Sequence, residues 1–189
     1  MTDAAGHSFG PSALATPANA LTVARLLAAP LFVALIVNKG ASWWTVAVGA
    51  LVAGTDGADG WVARRQGTTR SGAFLDPLAD KVVVLSVLFL LSYLHTLPWI
   101  PVVLIGTREL LMSVYRVWIG RHGFSIPARR SAKIKTLVQD LAIATCLVPP
   151  LASRHDLQLV AIWVAAAITL ATGLQYLVDG WRAERRRPA

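Results

Sequence analysis

The feature that most limits what this chain can become is a rhythm of charge along six apolar stretches. The first runs from Pro17 to near Asn38, the second from near Trp43 to about Arg65, and the third from near Gly72 through VVVLSVLFLLSYL. The fourth opens with PWIPVVLIG, the fifth with SAKIK, and the sixth is LQLVAIWVAAAITLATGLQYLV, finishing at Asp179. Charged residues gather at the starts of stretches one, three and five and at the ends of two, four and six. If each stretch is a helix crossing a bilayer, alternating direction brings all of those ends to the same side. Single stretches such as Leu26–Val37 are marginal by hydropathy and leave counts of five or seven open. The alternation selects six.

Composition agrees with a lipid environment. Hydrophobic residues make up 55% of the 189 residues, charged residues 15%, and mean hydropathy is +0.56. That is too apolar for an ordinary soluble domain, whereas a crossing helix needs about 20 apolar residues. The expected fold is an all-α integral membrane protein with six transmembrane helices and a polar cavity on the charged side. Lysine and arginine excess marks the cytoplasmic face. Arg64, Arg65, Arg70, Arg121, Arg129, Arg130, Lys133, Lys135 and the Arg182–Arg187 cluster fall together, against Lys39 and Arg154 opposite. Both termini and the cavity are therefore expected in the cytoplasm, and Trp43, Trp44 and Trp99 at the far interface. Residues 1–16 read as a flexible tail, 17–181 as one six-helix domain and 182–189 as a basic tail. The segment before the first apolar run lacks a basic n-region, so no cleaved signal peptide is expected.

The net charge of +8 does not point to nucleic acid, because the basic residues border apolar segments rather than covering one soluble face. Anionic headgroups and phosphate-bearing substrates explain its sign better. Cys146 is the single cysteine, which excludes an intramolecular disulfide and a cysteine metal cluster.

Against this apolar background, residues 55–80 carry four aspartates: Asp56, Asp59, Asp76 and Asp80. The first pair is three apart and the second four apart, so on helices each pair shares a face. A short polar turn over 65–71 would set the two helices antiparallel and bring the pairs together. Four carboxylates in a low-dielectric place cannot all remain ionised without cations. Oxygen-only donors suit a hard ion such as Mg²⁺ or Mn²⁺. A structural polar cluster and an ion pathway are the alternatives, with Asp76 capping the third helix ahead of Pro77 in the first of them.

The pattern Asp56-x2-Asp59-Gly60-x2-Ala63-Arg64-x7-Gly72-x3-Asp76-x3-Asp80 resembles the signature of the CDP-alcohol phosphotransferase family, with every fixed position present. The resemblance implies a metal-dependent phosphatidyltransferase of bacterial-type cell membranes. It implies a pair of divalent ions held by Asp56, Asp59 and Asp76, with Asp80 as general base and additional ligand. It further implies CDP-diacylglycerol and a small alcohol as substrates, and a homodimer. Gly60 and Ala63 would let the nucleotide approach the backbone, or serve helix packing alone. Arg64 suits a diphosphate oxygen, and Gly72 completes the set. Asn19, Thr22 and Arg25 resemble the segment that helps close the family's nucleotide site; an interfacial stripe is the alternative for them.

Arg108, Glu109, Arg116, Lys133 and Lys135 bear on the acceptor. Arg108 falls too deep for a simple basic margin and is costly there unpaired, which leads to the expectation that Glu109 pairs with a neighbouring base. TRELLMSVYRVW and SAKIKTLVQD resemble the regions of bacterial family members that make phosphatidylglycerophosphate, with their R-E pair and K-x-K-T run. Cations facing the metal site suit an acceptor that bears phosphate, glycerol 3-phosphate first, with Arg108, Arg116, Lys133 and Lys135 as its phosphate ligands. Inositol phosphate and phosphatidylglycerol are the alternatives. A divalent-cation transporter is the rival from another class, but the far halves of the helices lack the polar lining a through-path needs. His7, His95, His122 and His155 show no ligand spacing.

Overall fold

The computed structural model describes the backbone of residues 17–66, 72–121 and 130–185, and side chains over 23–24, 26–54, 81–116 and 134–181. The expectations for the tail at 1–16, most of the turn at 65–71, the loop at 122–129 and the last residues, 186–189, lie outside the described residues. Within them the chain is all-α: α1 Pro17–Lys39, α2 Trp43–Gln66, α3 Gly72–Tyr93, α4 Trp99–Arg121, α5 Arg130–Leu147 and α6 His155–Arg185. Pro30 sits inside an uninterrupted α1. α6 continues past Asp179, where the apolar pattern stops, through Arg182 to Arg185. Gly180 stands where the pattern stops, but no proline follows it until Pro188, and the arginines and alanine after it are strong helix formers.

The helices sort into two compact units. One holds α1, α2 and α3 as far as Leu90, with residues Leu147–Pro150; the other holds the end of α3, α4, most of α5, and α6. In the first unit, α1 closes on Gly40, whose φ of +57° is the left-handed C-cap geometry. Its amide donates to Ile36 O at 2.8 Å. Ser42 then caps α2: its hydroxyl accepts from the Thr45 amide at 3.2 Å. The fully buried Thr45 hydroxyl donates back to Gly40 O at 2.9 Å. A three-residue turn is thereby knitted into an antiparallel α1–α2 hairpin. The two helices pack closely, with Phe32 against the bare face of Gly49. Ala29, Val52 and Val83 form an apolar cluster that joins α3 to the pair, with Ala28 and Val48 against it.

In the second unit the polar contacts give the helix directions. Arg108 and Tyr115 of α4 meet Thr172 and Tyr176 of α6 in the same order, so these helices run parallel. Gln139 of α5 bonds Thr169 and Thr145 O accepts from Gln158, the reverse order, so α5 runs antiparallel to α6. Ile162, Ala165, Ala166, Thr169 and Gly173 form the buried face of α6. Leu159, Val160, Trp163, Val164, Leu170 and Leu174 lie on its exposed side. α3 ends in a Schellman turn with His95 in the left-handed position, its φ +58°, and the Thr96 amide bonded to Leu91 O at 2.9 Å. His95 is thus a turn residue, as its sequence context indicates.

Large exposed apolar residues such as Leu31, Trp43, Trp44, Leu51, Val114 and Leu174 cover the outside, a surface matched to lipid and not to water. Among the described residues, one helix, His155–Trp181, is by itself long and apolar enough to cross a bilayer. Leu26–Lys39, Trp43–Gly54 and Lys81–Tyr93 are shorter apolar segments.

A Cβ on Gly49 would stand 2.9 Å from Phe32 Cζ, at the tip of a ring that is 4% exposed and has no room to swing. Gly49→Val is therefore expected to destabilise the hairpin by about 1–3 kcal/mol through overpacking. Thermal unfolding in detergent measures this, and adding Phe32→Leu should restore part of the loss.

Candidate active site

The sequence signature falls on two helices of the first unit. Asp56, Asp59, Gly60, Ala63 and Arg64 belong to the second half of α2; Gly72, Asp76 and Asp80 belong to the first half of α3. Asn19 and Thr22 lie in the first two turns of α1. The side chains of these residues, and those of Arg25 and Lys133, lie outside the described ones. Helical register still relates them to what is described. Val52, Asp56 and Asp59 are i, i+4 and i+7 on α2; Asp76, Asp80 and Val83 are i, i+4 and i+7 on α3. Val52 and Val83 share one buried cluster. By register, the aspartate positions follow Val52 on α2 and precede Val83 on α3. α3 is already helical at Gly72, so Asp76 stands a turn inside the helix and is not its N-cap.

The basic residues belong to the second unit, where side chains define a network. Glu109 on α4 is 3% exposed. Its Oε1 accepts from Arg108 Nη1 at 2.8 Å and also from Lys135 Nζ of α5. This is the pairing expected of Glu109, with two bases in place of one. Arg108 Nη2 donates to Thr172 Oγ1 of α6 at 3.2 Å. The Thr172 hydroxyl can do this because its own proton goes back to a carbonyl one turn earlier, Ile168 O or Thr169 O, each at 2.9 Å. One turn deeper, Gln139 Nε2 donates to Thr169 Oγ1 at 2.9 Å, both side chains buried. Arg116 lies about 12 Å further along α4 by helical rise. Its guanidinium sits over the Tyr176 ring, 5.7 Å from the centroid. Tyr115 meets the same ring edge-on at 6.0 Å.

Thr172, Gly173 and Tyr176 on α6 were not among the residues the sequence singles out. The one signal for them is a threonine–glycine pair interrupting an otherwise lipid-like helix, the kind of small-residue step that lets something approach closely. Electrostatically, two cations share one carboxylate oxygen where solvent is scarce. Such a group is stable only while each member is paired. Among the described residues no cluster of His, Cys, Asp or Glu has metal-site geometry.

Removing the carboxylate takes the shared partner away from two part-buried cations. Glu109→Ala is expected to lower stability by about 3–5 kcal/mol, the usual cost of breaking a buried ion pair from one side. Thermal unfolding in detergent measures it, and Glu109→Ala combined with Lys135→Met should recover part of the loss by removing one of the two cations that share the carboxylate.

Comparison with known proteins identifies the family. Positions 15–171 match the sequence profile of the CDP-alcohol phosphatidyltransferase family. A Mycobacterium tuberculosis H37Rv protein named "Probable phosphatidylglycerophosphate synthase" is 37% identical over 185 residues, covering 94% of this chain and 87% of that one. A Pseudomonas fluorescens protein named CDP-diacylglycerol–glycerol-3-phosphate 3-phosphatidyltransferase is 37% identical over 174 residues, covering 86% and 89%. A Sodalis glossinidius protein of the same name is 37% identical over 164 residues, covering 83% and 90%. With five-sixths of its length inside the family profile and relatives aligned nearly end to end, this chain belongs to the CDP-alcohol phosphatidyltransferase family.

Proposed function

We propose that this membrane phosphatidyltransferase moves the phosphatidyl group of CDP-diacylglycerol onto glycerol 3-phosphate, forming phosphatidylglycerophosphate and releasing CMP, a step of phospholipid biosynthesis. Family membership supports the reaction type, and the names of the relatives support the acceptor. The observation that carries the acceptor choice is the pairing of Arg108 and Lys135 on one buried carboxylate. Two cations held side by side on one carboxylate oxygen in a poorly solvated place suit a phosphate-bearing alcohol. Inositol phosphate bears a phosphate too, so the assay below separates the two; the divalent-cation transporter is set aside by the family match.

In this proposal Arg108, Arg116, Lys133 and Lys135 take the acceptor's phosphate. Asn19, Thr22, Gly60, Ala63, Arg64 and Gly72 accommodate the CDP moiety, with Arg64 on a diphosphate oxygen. Asp56, Asp59, Asp76 and Asp80 hold two divalent ions, Mg²⁺ or Mn²⁺. An all-oxygen donor set, spaced about one turn apart on α2 and on α3, fits such ions. When bound, the ions neutralise the diphosphate and ease departure of CMP. Asp80 takes the proton of the glycerol 3-phosphate hydroxyl as its oxygen attacks the phosphatidyl phosphorus. The bond from that phosphorus to CMP breaks, and the proton passes to solvent.

The proposal places six spans in the membrane with both termini and the active site cytoplasmic, and includes a homodimer. The alternating helix directions within the second unit and the tight α1–α2 hairpin support an up-and-down arrangement. Ser153→Cys, in the turn before α6, should react with an impermeant maleimide added to intact cells, while a cysteine added after Ala189 should react only after permeabilisation.

Purified protein given CDP-diacylglycerol and Mg²⁺ or Mn²⁺ should release CMP with glycerol 3-phosphate and not with inositol phosphate or phosphatidylglycerol. Chelation with EDTA should stop release, and Asp80→Asn should reduce turnover by about 100-fold or more while leaving a folded protein. Release with a different acceptor would overturn the substrate and keep the family chemistry; near-normal turnover by Asp80→Asn would remove that residue from the role of base.

A further inference from the structure

Arg108 is held from three directions, and one of them is an absence. Its Nη1 is fixed by Glu109 and its Nη2 by Thr172. The stem of the side chain lies across Gly173 of α6. A Cβ at that position would stand 2.8 Å from Arg108 Nε, 3.3 Å from Cγ and 3.6 Å from Cδ. These atoms are the middle of the side chain, not a tip that can swing aside, so any residue larger than glycine displaces the guanidinium as a whole. Gly173 is buried, on the same face of α6 as Thr169 and within a turn of Tyr176. Nε itself is buried without a hydrogen-bond partner. A buried arginine donor left unmatched is costly, so the slot positions the guanidinium at the expense of one of its own bonds.

We propose that Gly173 and Thr172 are positioning residues for the acceptor: α6 supplies a slot and a hydroxyl stop that set where Arg108 presents its charge to the phosphate of the incoming alcohol. Neither residue touches substrate in this account. It rests on the assignment of Arg108 to the acceptor phosphate, and the test separates the two.

The experiment is a kinetic double-mutant cycle with glycerol 3-phosphate and CDP-diacylglycerol varied in turn, using Gly173→Ala, Arg108→Ala and the pair. Gly173→Ala should raise KM for glycerol 3-phosphate about tenfold, the scale of one hydrogen bond to a charged group, with KM for CDP-diacylglycerol unchanged. In the Arg108→Ala background the same glycine substitution should add nothing, because its effect passes through the arginine. Thr172→Val, which keeps the shape and removes the hydroxyl, should move acceptor KM in the same direction and supplies the test if Gly173→Ala does not fold. Additive effects in the cycle, or a loss confined to kcat, overturn the positioning role. If Arg108→Ala leaves the acceptor KM unchanged, the assignment of Arg108 fails first and the positioning role falls with it.

Discussion

A carboxylate almost out of reach of water holds the second unit of this protein together. Glu109 satisfies Arg108 on its own helix and Lys135 on α5, and Arg108 in turn reaches α6 through Thr172. Three helices are thus tied at one level by polar contacts, in a unit whose exposed side is largely apolar. Dispersion alone would let helices slide; a charge network with fixed donors sets their register. The neighbouring Gln139–Thr169 bond does the same work one turn away without charge. Everything proposed for acceptor recognition depends on this frame, because a phosphate can be selected only by cations that are already desolvated and already held.

The helix ends show how the remaining backbone polarity is handled. Gly40, Ser42 and Thr45 absorb the loose donors and acceptors of a very short turn. His95 accepts a left-handed conformation to close α3. Gln158 donates to Ala152 O at 2.9 Å, tying the turn before α6 to its first residues. Each device places hydrogen bonds where a membrane interface would not reliably supply them.

Much of this was legible in the sequence, for reasons that differ by residue. The bounds of α2 and α3 follow from Trp43, the polar turn and Gly72, because composition changes sharply there. The aspartate pattern is local, so its spacing on α2 and α3 can be read without tertiary structure. Glu109 reads as a paired acid because a lone one at that depth is costly. Its partner Lys135, 26 residues away, lies beyond local reading, since only packing decides which base arrives. Thr172, Gly173 and Tyr176 sit in a helix whose hydropathy advertises lipid and conceals its inner face. The continuation of α6 to Arg185 is missed because loss of apolar periodicity was mistaken for loss of helix. An Asp76 cap is suggested by Pro77, but the helix starts a turn earlier.

α6 is a single uninterrupted helix from His155 to Arg185. Its inward face carries the turn anchor Gln158, the packing residues Ile162 and Ala166, and the slot at Gly173 in one phase. Each residue of an α-helix advances that phase by about 100°, so inserting or deleting a single residue between Gln158 and Gly173 would rotate the slot away from Arg108 while leaving hydropathy untouched. Lineages of such a protein can therefore drift freely in side-chain identity along the lipid face, yet gain or lose length only in the turns. The helix behaves as a ruler whose markings must all move together.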